Sequence, residues 1–577
     1  LLKFPKNKKA QQGLTALNKP KQSAASQSPH HDTVSKLISL YNQGELSAVV
    51  QRAQALIQKY PGDFIIWSVL GAAQNDLGRV HEASVAFKNV TVLNPNYAAG
   101  FSNLGTTLEA QGRLEEAIVA YKKALELKPD FVEANYNMGN ALQQREKIEE
   151  AIEAYTKALS LKPDYQQALN NMGSALQKQG KLDEAILAYN QALSLEPDYA
   201  EAYSNMGNTL EEQGKLDEAI QAYNKALSLK PDNADANYNL GNAFQKQGKL
   251  DEAIEAYNKA IPIKPDFVEA YNNLGNTLEA QGKIDEAIVA YNKALVLKPD
   301  IAEAYSNLGS VLKAQGKLNE AIEADNKALS LRPDYAKAYN NMGNTLLAQG
   351  KIDEAIEAYN NALSLNPDYA AARAQKLHQQ AHICDWDKVN DDLAFIADLG
   401  INGEVVPPFS LLAIEDAPDR HRLRSENYSS KNFLQRPLTG FVRPKQKPER
   451  LRIGYFSADF KEHPVAHLIA KVIETHDRDY FEVYGYSIGS ASNDKMRHRL
   501  VNGFDVFHDL NGMSDKDAAL RARHDKIDIA VDLTGYTMNS RPGIFAYRAA
   551  PIQINYLGFA GTLGADFMDY IVADKHL

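Results

Sequence analysis

The sequence predicts an α-solenoid followed by an α/β domain, and three patterns in its 577 residues predict it. Glycines stand 34 residues apart at Gly105, Gly139, Gly173, Gly207, Gly241, Gly275, Gly309 and Gly343. Prolines keep the same step from Pro61 to Pro367. From Leu451 onwards short strand-like runs alternate with helical ones. A fixed period of this size means stacked supersecondary units rather than one core. Strands alternating with helices mean a parallel sheet.

Within one period, residues 200–233, the apolar and small positions are Ala202, Tyr203, Met206, Gly207 and Leu210, then Ala219, Ile220, Tyr223, Ala226 and Leu227. Both runs recur at i, i+3, i+4, i+7, the mark of amphipathic helices. Gly214 separates them and Pro231 closes the second. Each period is therefore two antiparallel helices, covered on each side by a neighbour. Residues 98–369 hold eight regular periods, and residues 30–97 two weaker ones in which Leu37 stands where Gly71 restores the glycine. Glu146 replaces a glycine between helices, and Asp325 replaces a tyrosine. Both are expected to cost local stability only.

Residues 1–29 carry six lysines and no acid, so a disordered basic tail is expected. Residues 370–450 read as a helical connector. There, His382 to Lys388 holds the single cysteine, Cys384, beside one histidine, which falls short of a zinc spacing and reads as packing. One cysteine excludes an intrachain disulfide and fits a reducing, cytoplasmic compartment. A net charge of −10 gives no reason to expect nucleic acid. No run of 18 apolar residues occurs, so no membrane span is expected. The chain begins with Leu1 rather than Met and stops after the apolar run Tyr570-Ile-Val-Ala, which reads as a fragment at both ends.

One polar column recurs with the period: Asn103, Asn137, Asn171, Asn205, Asn239, Asn273, Asn307 and Asn341. Asparagine is a mediocre helix former, about 0.6 kcal/mol worse than alanine. Eight at one position imply a shared duty. An amide offers an acceptor and two donors, enough to hold the backbone of an extended peptide; local hydrogen bonding within the repeats is the alternative.

In the α/β region, strands are expected at 452–457, 481–488, 527–533, 552–557 and 570–573, with helices near 467–475, 514–525 and 540–548. Ligands bind at the carboxyl ends of parallel strands. The loop after the first strand holds Asp459, Glu462, His463, Pro464 and His467. It is an acid–base cluster in which histidine moves protons near neutral pH, or a structural histidine. The loop after the third expected strand carries Asp532, Gly535 and Tyr536, with Gly535 placed for close backbone approach to a ligand. The loop from Gly558 to Gly564 is glycine-rich but matches no phosphate motif. No HExxH or paired CxxC occurs, so no metal is inferred.

The periods resemble the tetratricopeptide repeat. Followed by Leu451-Arg-Ile-Gly-Tyr-Phe-Ser-Ala-Asp-Phe-x-x-His463-Pro-x-x-His, then Asp532-Leu-Thr-Gly-Tyr-Thr, Arg548-x-Ala-Pro-Ile-Gln and Met568-Asp-Tyr-Ile, the whole resembles the protein O-GlcNAc transferase family, which includes the Spindly-type O-fucosyltransferases. The resemblance implies tetratricopeptide repeats followed by the Rossmann-like N-terminal lobe, residues 451–577, of a GT-B glycosyltransferase, with the C-terminal lobe absent. It implies an inverting transferase that needs no cofactor beyond its nucleotide-sugar co-substrate. GlcNAc from UDP-GlcNAc would pass to Ser or Thr of proteins presented by the repeats, whose asparagine column lies on the inner wall of the superhelix in that fold. A Spindly-type fucosyltransferase using GDP-fucose and a non-catalytic scaffold are the alternatives. The family's key histidine falls on His463 and its aspartate on Asp459, a candidate base or proton relay. Pro464 shapes the loop, His467 supports it, and Asp532 and Tyr536 line the cleft. Two positions depart from animal enzymes, which have Asn at Glu462 and Thr at Val465. A further histidine of those enzymes has no counterpart in Pro407 to Leu411.

Overall fold

The computed structural model describes residues 31–433, 437–438, 448–537, 539–559 and 561–573. The expected basic tail, 1–29, lies outside them. The chain divides into two compact units, 1–248 and 249–577.

The first unit is helical throughout. Helices run in antiparallel pairs from His31–Asn42 with Leu46–Lys59 to Ala200–Glu212 with Leu216–Leu229, ending with Ala234–Lys246. The two weak N-terminal periods thus fold as full helix pairs. Their cores are built on Leu37, Val49, Ala53, Ile66 and Leu70, with Phe87 fully buried against Gly71 in the second period.

The repeat's logic is a tyrosine laid on a glycine. Tyr121, Tyr155, Tyr189 and Tyr223, all on second helices, are fully buried. A Cβ on Gly207 would sit 2.6 Å from the Tyr223 ring, and those on Gly105, Gly139 and Gly173 meet their tyrosines as closely. The missing side chain is what lets the ring reach the first helix. Burying such a ring is worth about 2–3 kcal/mol, provided its hydroxyl finds a partner. Tyr155 donates to Asn140 Oδ1 at 2.8 Å, and Tyr223 to Asn208 Oδ1 at 2.8 Å.

The turn between the helices of a pair uses left-handed backbone, with φ of 73° at Gly112, 80° at Gly180 and 77° at Gly214. Glu146 holds the same conformation at φ 58°. A Cβ in that region clashes with its own backbone, at roughly 1–2 kcal/mol. Glu146→Gly is therefore expected to stabilise the chain by about 0.5–1 kcal/mol, read as a rise in urea midpoint. Gly207→Ala is expected to destabilise it by about 1–3 kcal/mol through overpacking against Tyr223.

The second unit begins with helix Leu250–Ile263 and three further pairs up to Ile352–Leu365. Helix Ala370–His382 packs against Ile352–Leu365, so the array runs one helix beyond residue 369. Next come helices Trp386–Asp391 and Leu393–Ile396, the 3-10 turn Pro408–Leu411 and helix Pro418–Asn432. Arg424, fully buried, ties this last helix to Leu399 and Ile396 carbonyls and to Glu415. Cys384 is exposed in a left-handed turn at φ 60° and serves the chain reversal.

Asp325 shows what the tyrosine does. It is completely buried, neither carboxyl oxygen has a hydrogen-bond partner, and burial pushes its carboxyl up to about 8. Lys313, whose ammonium burial pushes down, draws the aspartate back towards ionisation. At the equivalent places Tyr291 faces Glu279. Because the folded state holds a proton that the unfolded state releases above about 4, stability falls as pH rises from about 4 to about 8. Asp325→Tyr should remove that part of the pH dependence and raise the melting temperature, as thermal melts at pH 5, 6.5 and 8 would show.

The α/β region is one parallel sheet of order β3-β2-β1-β4-β5-β6, formed by β1 Leu451–Ser457, β2 Phe481–Ser487, β3 Val506–Asp509, β4 Ile529–Asp532, β5 Ile552–Tyr556 and β6 Tyr570–Val572. This is the doubly wound, Rossmann-like order. Helices Pro464–Thr475 and Lys495–Gly503 bury Ile469, Ile473 and Leu500 against one face, and Asp515–His524 buries Ala518, Ala519 and Ala522 against the other. Two elements were not expected: β3 and the helix Lys495–Gly503. Both are short, and the helix buries only Met496 and Leu500. Among the described residues no helix is long and apolar enough to cross a membrane.

Candidate functional site

The site lies where β1, β2, β4 and β5 end. At β1 and β4 the last residue, Ser457 or Asp532, accepts backbone N–H groups of the loop that follows it. Ser457, fully buried, accepts the Asp459 N–H on its hydroxyl at 3.0 Å. Ala458 donates its N–H to the Thr534 hydroxyl at 3.3 Å. Gly489 is a glycine because a Cβ there would lie 2.2 Å from the Ala458 carbonyl oxygen. Gly558 is one because a Cβ would lie 1.8 Å from the Leu533 carbonyl oxygen. The loops are thus locked together through backbone.

Asp459 and His463 come together on the β1 loop. His463 has extended backbone, caps helix Pro464–Thr475, and accepts the Val465 N–H on Nδ1 at 3.3 Å. Pro464 fills the first helical position, where a missing N–H costs nothing. Asp459 Oδ2 lies 3.8 Å from the same Nδ1. The imidazole is 38% exposed and the carboxylate 15% exposed. A nitrogen that accepts from backbone carries no proton, so in the neutral ring the proton sits on Nε2. When the ring is charged, Nδ1–H can turn to Asp459. The pair can hold a proton in two places, one turned to solvent and one to the carboxylate.

His467 lies one turn on and meets Glu462 Oε1 at 2.7 Å, both exposed. It braces the loop through Glu462, and its backbone N–H donates to the His463 carbonyl at 3.2 Å. Two residues missed in the sequence, Asp494 and Arg497, hold the loop. Asp494 accepts the Glu462 N–H at 3.0 Å and caps the helix that follows it. Its carboxyl is held down to about 2 by the Ser492 hydroxyl and backbone N–H groups. Arg497 donates to the Phe460 carbonyl and to Asp509. The run Ser492-Asn-Asp494 before Lys495 was a helix-start signal.

Asp532 and Tyr536 do not line an open cleft. Asp532 is 2% exposed and accepts the Thr534 and Gly535 N–H groups at 2.9 and 3.2 Å, with burial pushing its carboxyl up to about 6. It builds the β4 turn. Tyr536 donates to the Leu563 carbonyl at 2.7 Å and stacks on Phe433 with centroids 6.2 Å apart. It pins the Gly558–Gly564 loop, whose Gly564 abuts the backbone of Glu426 on the connector. The space beside Gly535 is filled by Phe559, not left for a ligand. Short polar runs do not reveal which way a side chain turns, and here both turn inward.

The asparagine column faces its own neighbours. Asn171 Nδ2 donates to Asn140 Oδ1 at 2.9 Å, Asn239 to Asn208 at 2.8 Å, and Asn307 to Asn276 at 3.0 Å. Asn137 donates to Thr106, Asn205 to Asn170 and Asn341 to Ser306. At these six positions the amide thus donates to the preceding first helix. Asn103 and Asn273 occupy the same half-buried position on their helices. Asn307 is itself buried, and its oxygen accepts from Lys337 at 2.9 Å.

The chain thus combines helical repeats with a parallel α/β sheet that has an Asp–His pair at a strand end. Residues 431–577 match Glycosyl transferase family 41, and residues 107–316 and 300–368 match tetratricopeptide repeats. The chain is 34% identical over 215 residues to a probable UDP-N-acetylglucosamine–peptide N-acetylglucosaminyltransferase of Arabidopsis thaliana, SEC, covering 34% of this chain and 22% of that one. It is 42% identical over 130 residues to the UDP-N-acetylglucosamine–peptide N-acetylglucosaminyltransferase of Caenorhabditis elegans, covering 22% and 11%. An O-GlcNAc transferase mutant from Thermobaculum terrenum aligns over 54% of each chain at 27% identity and a TM-score of 0.34. Residues 431–577 thus carry a Glycosyl transferase family 41 match and residues 107–368 tetratricopeptide repeats, the two parts over which the chain is similar to these transferases. The chain spans about a fifth or less of the length of these curated relatives.

Proposed function

We propose that the protein containing this chain is an inverting protein O-glycosyltransferase that moves a sugar, GlcNAc from UDP-GlcNAc, to Ser or Thr of protein substrates led along the first-helix face of the solenoid. The observation that carries this reading is the Asp459–His463 pair at the end of β1, inside the stretch that matches Glycosyl transferase family 41. In the reaction the acceptor hydroxyl oxygen attacks the anomeric carbon. The bond from that carbon to the diphosphate oxygen breaks, and the nucleoside diphosphate leaves with the electron pair. The hydroxyl proton goes to the pair: Asp459 takes or relays it, and His463, with Nδ1 held by Val465, presents Nε2 to the reacting groups. Asp494, Arg497 and Thr534 keep the loop in place, which is what turns a flexible His–Asp pair into a positioned one.

The relatives' names support peptide as acceptor and UDP-N-acetylglucosamine as donor. The test is mass spectrometry of acceptor protein incubated with enzyme and either UDP-GlcNAc or GDP-fucose. Transfer of N-acetylhexosamine from the first donor alone is expected; transfer of deoxyhexose from the second would overturn the choice of sugar. His463→Ala is expected to lower turnover by at least about 100-fold, the usual scale for an acid–base group, with the helical circular dichroism unchanged. Near-normal turnover in that variant would refute the site.

A further inference from the structure

Two aspartates accept backbone N–H groups around the His463 loop, and they differ in how firmly they stay charged. Asp494 is held down to about 2 by the Ser492 hydroxyl and backbone N–H groups, so it is ionised at any pH near neutral. Asp532, at the end of β4, is buried. Its Oδ1 accepts the Thr534 N–H at 2.9 Å, and both of its oxygens accept the Gly535 N–H at 3.2 Å. Such bonds favour a carboxylate, and burial opposes it. Here burial wins, and the carboxyl is pushed up to about 6. An asparagine would accept the same N–H groups without burying a charge.

The surroundings of Asp532 suit a group with two protonation states. β1 presents Phe456 beside it, with Phe545 laid on that ring, and β5 presents Asn555 in register. Asn555 is buried, and neither its Oδ1 nor its Nδ2 has a hydrogen-bond partner. Its amide lies near enough to favour the ionised carboxyl without closing a bond. An amide offers a donor to a carboxylate and an acceptor to a carboxylic acid, so Asn555 can serve either form. Phe559 fills the space against Gly535. Tyr536, whose ionisation Asp532 opposes, is the titratable side chain that feels it.

The turn that Asp532 shapes reaches the β1 loop through a side chain. The Thr534 hydroxyl accepts the Ala458 N–H at 3.3 Å, and Ala458 precedes Asp459. We propose that Asp532 is a positioning residue for the Asp459–His463 pair, setting through the Thr534 hydroxyl where the β1 loop stands. The carboxylate draws the Thr534 and Gly535 N–H groups inward. The carboxylic acid accepts them more weakly and turns its own proton to Asn555 Oδ1, and Thr534 and Ala458 move with the turn. A carboxyl raised to about 6 loses its proton as pH rises through that value, so the drawn-in arrangement prevails above it. The positioning role rests on the reading that the pair handles the acceptor proton; the movement of the loop does not.

The test uses the full chain labelled with ¹⁵N-alanine and ¹³C-carbonyl serine, with the Ala458 amide assigned by its loss in Ala458→Gly. In a His463→Gln background, which removes the ring's own titration, that amide is expected to shift in one step near pH 6. Asp532→Asn should abolish the step with the helical circular dichroism unchanged. Thr534→Val should abolish it at Ala458 while the Gly535 amide, seen with ¹⁵N-glycine and ¹³C-carbonyl threonine, still titrates. Where Asp532→Asn does not fold, Asn555→Ala takes its place: it removes a group that favours the ionised form and should move the step upwards. An Ala458 amide with no step near pH 6, or one that persists in Thr534→Val, overturns the proposal. In the whole enzyme, the acid limb of log kcat against pH should be steeper by about one in the native protein than in Asp532→Asn. Equal slopes beside a titrating amide overturn the positioning role. Absence of transfer from either donor overturns the proposed function, and the amide titration still decides the loop movement.

Discussion

Everything in the repeat array depends on one node, the tyrosine hydroxyl donated to an amide oxygen that also receives an amide from the next repeat. The ring supplies the buried area that holds the two helices of a pair together, and the glycine opposite supplies the room. The hydroxyl then couples that pair to its neighbour. A purely apolar contact would stack repeats at any small rotation; a hydrogen bond of 2.8 Å to a fixed amide admits one. Where the node is altered, the consequences stay local. Asp325 gives up the ring and leaves two oxygens unpaired.

The same node changes what the asparagine column means. An amide free on both sides could bind a peptide by donating and accepting. One whose nitrogen is committed to its neighbour keeps mainly an oxygen, so a bound backbone would have to present N–H groups to it.

The repeat, its period and its helices were legible in the sequence because each helix copies one rule eight times over, and a repeated signal averages out its faults. Five of the six strands were legible to within two residues of their observed ends for a different reason: runs such as Ile453-Gly-Tyr-Phe are apolar on both faces. Val506–Asp509 was not, since only two apolar residues mark it. In the site, Asp459 and His463 could be paired from sequence because they sit four residues apart on one loop. Asp494 and Arg497 lie more than thirty residues away and reach the loop only through parallel strands. Asp532 and Tyr536 show the limit from the other side, since sequence put them at the strand ends but not which way they face.

The close approach of Gly489 to Ala458 and of Gly558 to Leu533 has a kinetic meaning. Neither contact exists until β2 lies beside β1 and β5 beside β4, pairings that join residues about 20–30 positions apart in the chain, and each loop's shape depends on the next. Parallel pairing of this kind is slow to form. The His463 loop therefore takes its final geometry among the last events of folding. A nascent chain would carry folded helix pairs well before Asp459 and His463 took their places.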